Sequence, residues 1–100
     1  MSDALLTQYQ TLERTSAQML QAARQDDWTE VRRLEAVCST QIAELNQQGK
    51  GVRLTPPAQA QKHRLMLAIL RHDAQIRSLA EPGLGGLELL FFRQGPGQLH

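Results

Sequence analysis

Residues 28–45, WTEVRRLEAVCSTQIAEL, decide the fold of this chain. Their apolar positions, Trp28, Val31, Leu34, Val37, Cys38, Ile42 and Leu45, recur at intervals of three and four, the period of a helix with one apolar face. A similar stripe runs through Leu65, Ile69, Ile76 and Leu79, and a third through Leu5, Tyr9, Leu12, Met19 and Ala23. β-Branched residues are sparse while Leu, Ala, Gln, Glu and Arg dominate, a balance that favours helix over sheet. The pattern predicts an all-α fold: an antiparallel three-helix bundle with a short fourth C-terminal helix or flexible tail. Trp28, Val31, Leu34, Ile42 and Leu45 are the expected core of its second helix.

At 100 residues the chain suits one domain, which at this size buries roughly 60–70% of its unfolded surface. Lys and Arg total 11 against 10 acidic residues, giving a net charge of +1. So balanced a field offers no electrostatic case for direct nucleic-acid binding or for an anionic membrane. Cys38 is the only cysteine, so no intrachain disulfide forms and a reducing cytoplasm is the expected location. The opening MSDALLTQYQ carries Asp3 and lacks the basic-then-apolar order of a signal peptide. The longest apolar run, residues 65–70, falls far short of the ~20 residues of a membrane span.

Local signals set the expected boundaries. Helix one is predicted over 3–25, with Ser2 as its cap and Thr15 and Ser16 weakening its apolar face. Asp26 and Asp27 interrupt, and Asp27 with Glu30 has the form of a capping box opening helix two over 27–48. Gly49 and Gly51 are expected to supply left-handed terminating conformations. Thr55 caps helix three, predicted over 56–80, with Pro56 and Pro57 in its first turn and Leu54 positioned to staple back onto it. The bundle thus spans 1–82. Residues 83–100 form a glycine-punctuated tail holding both phenylalanines, and a helix of about two turns there needs a cover, whether the bundle, a partner or a second copy.

No constellation of catalytic residues stands out. His63 and His72 are nine apart, not the three or four that would bring two ligands to one helix face, and are read as solvated; no metal or cofactor is expected. No serine sits in a nucleophile elbow, and no Gly-rich loop follows a strand. Asp73 and Arg77 are four apart and read as an ordinary surface ion pair or as polar rim contacts for a bound helix. Helix three carries more apolar surface than one core face needs. Met66 and Leu70 lie round the cylinder from the Leu65–Ile69–Ile76 stripe, and Leu67 lies almost opposite Ile69. That second surface can pack the tail permanently or accept a partner helix.

With the helices placed, the chain resembles the FliT family of flagellar export chaperones. The resemblance is carried by Asp27-Trp28, Leu34-Glu35, Cys38 and Ile42, then by the run Ile69-Leu70-x-x-Asp73-Ala74-x-Ile76-Arg77-x-Leu79, and covers about 9–82. It implies a non-enzymatic cytoplasmic bundle that binds the C-terminal helical region of the flagellar filament cap protein, prevents its early assembly and delivers it to the type III export apparatus. It also implies, for some members, binding and repression of the flagellar master transcription regulator. The expected partner contacts are Leu65, Met66, Leu67, Ile69, Leu70, Asp73, Ile76 and Arg77, with Leu84, Leu87, Leu90, Phe91 and Phe92 as a regulatory tail competing for the same groove. A different class of reading is a structural helical homo-oligomer in which the C-terminal segment cements a homodimer.

Overall fold

Helix one begins at the second residue and runs without a break to Arg24. The computed structural model describes residues 2–80, with side chains from Ala4 onward. The order is α1 (Ser2–Arg24), α2 (Trp28–Gln48) and α3 (Pro56–Leu79), with no strand among the described residues. All six helix ends lie within a residue of the sequence expectation. The cap expected from Ser2 and the segment expected over 83–100, with its fourth helix, dimer contact and competing side chains, lie outside the described side chains and residues.

The turn between α1 and α2 is built from local chemistry. Asp26 takes the left-handed backbone (φ 62°), which Asp tolerates better than most residues. Its Oδ1 accepts a bond from Trp28 Nε1 at 2.7 Å. Asp27 caps α2, its Oδ1 accepting from the Glu30 amide at 3.2 Å. The reciprocal half of the expected capping box is absent, because Glu30 turns outward and accepts two bonds from Arg33 instead. At the other end, Gly49 is not left-handed as expected: its φ is −79°, and its amide donates to the Leu45 carbonyl as in a continuing helix. Gly51, at φ 74°, makes the reversal. Thr55 Oγ1 accepts from the Ala58 amide, Pro56 and Pro57 open α3, and Leu54 packs against the core.

α1 is the shared wall. It packs against both other helices, whereas no Cα of α2 comes within 8 Å of one in α3. Gln8 meets Gln48 across α1 and α2, so these run antiparallel. Tyr9 meets Lys62, Ser16 meets His72 and Arg24 meets Gln75, so α1 and α3 run parallel. The core comprises Leu5, Leu12, Met19, Leu20, Ala22 and Ala23 of α1, Val31, Leu34, Cys38 and Leu45 of α2, and Ile69 and Ile76 of α3. Trp28 and Ile42, expected inside, are half-buried at its edge, as is Tyr9. Leu79 is exposed rather than core: it belongs to the last helical turn, past the reach of the Ile69–Ile76 stripe. The unequal burial of apolar residues has a direct test. Ile76→Ala removes a side chain with no exposed surface and is expected to cost about 2–5 kcal/mol. Leu67→Ala, on the surface, is expected to stay within about 0.5 kcal/mol. Urea denaturation followed by circular dichroism reads both.

Candidate partner-binding face

Two markers fix how α3 is rotated. His72 leans toward α1, its Nδ1 2.8 Å from Ser16 Oγ and its Nε2 3.9 Å from Glu13. Asp73, wholly buried, lies close enough to Cys38 of α2 for its charge to act on that thiol. At about 100° per residue, Met66 and Leu70 fall roughly 20° and 60° round the axis from Asp73, on the flank turned from His72 toward α2. Leu67 lies further out. Met66 and Leu70 are 38% exposed and Leu67 45%, in a helix whose opposite stripe is fully covered. Grouped on a small protein, these large aliphatic side chains form a candidate interaction surface.

Not every residue expected on this face is there. Leu65 and Arg77 are both half-buried, about 18 Å apart along the helix. Ile69, Asp73 and Ile76 are turned inward and buried, since they occupy the stripe that α1 covers. The exposed expectation for Asp73 is corrected in a second respect. Its Oδ2 accepts from Arg77 Nε at 3.1 Å, but from a fully buried position. A buried carboxylate that lost this guanidinium would pay far more than the few tenths of a kcal/mol of a surface pair. Arg77 therefore works as the polar lid of a buried acid, with its aliphatic stem against the helix surface.

The polar residues of the α1–α3 seam also differ from expectation. Ser16 is completely buried and does not weaken the apolar face so much as replace a methyl group with a hydroxyl. Ser16 Oγ donates to the Glu13 carbonyl at 2.7 Å, which leaves its lone pair to accept from His72 Nδ1. Thr15, also buried, returns its hydroxyl to the Thr11 carbonyl. His72 is thus an interhelical contact and not the solvated histidine read from spacing, while His63 is exposed. Burial holds the His72 pKa below its ordinary value; Glu13 pulls upward, and Arg71 and Arg24 push further down. Cys38 is an inert packing group: burial, together with the charges of Glu35 and Asp73, pushes its thiol up to about 12. Burial likewise raises the Glu35 carboxyl, against the pull of Arg32.

Sequence reading missed one further feature, a cavity of about 270 Å³ bordered by Tyr9, Lys50 and Lys62. Its wall comes from three separate segments, so no spacing announces it. Among the described residues no group of three His, Cys, Asp or Glu could hold a metal ion, and no helix is long and apolar enough to cross a membrane. Compared with known proteins, residues 6–91 match the family model described as flagellar protein FliT. No curated protein and no solved structure matches the chain.

A histidine whose folded pKa is lowered binds fewer protons folded than unfolded, so stability falls as pH drops below the ordinary value of 6.5. The melting temperature is expected to decline between about pH 7.5 and about pH 5.5. In His72→Asn, which keeps an amide to donate to Ser16, that slope is expected to flatten. Thermal melts of both proteins across the window read the difference.

Proposed function

The chain belongs to the FliT family of flagellar proteins, a family of export chaperones, and on that premise we propose that it holds the C-terminal helical region of the flagellar filament cap protein in the cytoplasm. Capture prevents early assembly of the cap and presents it to the type III export apparatus. The observation that carries this reading is the exposure of Met66, Leu67 and Leu70 beside a closed core on the same helix. An amphipathic client helix laid along α3 covers those side chains and gains roughly 25 cal/mol for each Å² of apolar surface removed from water. Leu65 and Arg77 border the seat, one as an apolar edge and the other as a polar rim. The flagellar master transcription regulator enters the same reading as a second protein client competing for this face.

Leu67→Asp and Leu70→Asp place a charge under the client while leaving the core untouched. Each is expected to weaken binding of the cap protein's C-terminal region more than about tenfold, the fold-change of 1.4 kcal/mol. Far-UV circular dichroism is expected to remain that of the parent chain. Isothermal titration of both variants decides the matter, and undiminished binding by the two would remove α3 from the client site.

A further inference from the structure

The cavity lies where α1 and α3 begin and α2 ends. Leu5, Tyr9, Leu45 and Leu54 line it together with Asn46, Gln59, Lys50 and Lys62, so that its accessible wall is more polar than apolar. Among the described residues no acidic side chain borders it. Lys62 Nζ sits 5.8 Å from the centre of the Tyr9 ring, and neither lysine joins an ion pair among the described residues. Its volume of about 270 Å³ is below the ~300–1,000 Å³ of small-molecule sites and suits a side chain or two of a peptide.

Lys62, which lines the cavity, begins a flank of α3 that leads to its exposed face. Lys62, Met66 and Leu70 follow one another at intervals of four on a single flank. At 1.5 Å per residue, Lys62 stands about 6 Å along the axis from Met66 and about 12 Å from Leu70. A ligand seated over the two apolar side chains therefore reaches the lysines within one or two helical turns.

From this geometry we infer that the cavity is an anchoring pocket for an acidic amphipathic helix of a protein partner. The partner sets an apolar side chain against the half-buried Tyr9 and Leu54 and Asp or Glu residues against Lys50 and Lys62, one to two turns from its contacts with Met66 and Leu70. The choice of occupant rests on charge complementarity: two cations line the cavity and no anion does among the described residues, which discriminates against basic and neutral helices. This deepens the proposed function, on which it rests, by stating the chemistry of the client and the end of the molecule that reads it.

The test titrates the isotope-labelled full-length chain, by NMR, with two probes. One is the cap protein's C-terminal region; the other is a short capped helical peptide of Leu and Glu, alongside its Gln-for-Glu counterpart. Both acidic probes are expected to shift the resonances of Tyr9, Lys50 and Lys62. The combined Lys50→Glu and Lys62→Glu substitution is expected to weaken both about tenfold and to reduce the salt dependence of binding. The Gln counterpart is expected to lose as much. Lys50→Glu alone, at an exposed position, gives the same direction of change without touching the Tyr9 contact. If charge reversal leaves the cap region's affinity unchanged while Leu67→Asp abolishes it, the pocket assignment is overturned and the chaperone reading stands. If the cap region fails to bind but the acidic peptide binds through the lysines, the pocket stands and the client identity falls. Binding by neither probe overturns the pocket.

Discussion

Everything in this structure depends on α1 being covered on two flanks at once. α2 and α3 each pack against it, and their own Cα traces stay more than 8 Å apart. α1 meets that demand with Leu5, Leu12 and Met19 along its centre and with Ala22 and Ala23, small enough for close approach, in its last turn. A helix buried on one side needs a single apolar stripe, whereas one shared between two partners needs a wider band. Thr15 and Ser16 fall inside that band, so their hydroxyls are bonded to α1's own carbonyls instead of to water.

The polar groups inside the molecule give direction to an interface that aliphatic contacts alone would leave slippery. Ser16 Oγ and His72 Nδ1 fix one point of the α1–α3 seam, while an exposed bond from Arg24 to Gln75 spans the same two helices nearer the end of α1. A shift of α3 by one turn would leave Ser16 without its histidine and would set His72 against aliphatic neighbours, the penalty for a buried unsatisfied group. Asp73 and Arg77 are bonded within α3, the acid buried on the side turned into the bundle. The exposed face of Met66, Leu67 and Leu70 is therefore presented in one orientation.

Helix boundaries were legible because their causes are local. Asp27, Thr55 and the Pro56–Pro57 pair announce their roles within four residues, and each element starts where they indicate. The exposure of Leu67 was legible for a related reason: two residues from the buried Ile69, it falls roughly 160° round the helix from it. What sequence could not show was pairing at a distance. Ser16 and His72 are 56 positions apart, so a weak spot in one stripe and a histidine in another looked unrelated. Asp73 and Arg77 have the spacing of a surface pair, and only the position of α1 and α2 makes the acid an interior one. The cavity is assembled from the start of α1, the end of α2 and the approach to α3, and no single segment carries its pattern.

The parallel course of α1 and α3 gives the molecule a long-range polarity. Two helix amino ends and one carboxyl end meet beside the cavity, with the reverse arrangement at the opposite pole. Each amino end carries about half a positive elementary charge and each carboxyl end about half a negative one. The cavity pole is thus the positive end of a net dipole, formed by the backbone alone and unaffected by substitution of any side chain. A fourth helix laid alongside meets its favoured polarity with its carboxyl end at that pole, running in the sense of α2, a preference that salt screens. The peptide dipoles thereby favour one of the two directions in which an added helix can lie.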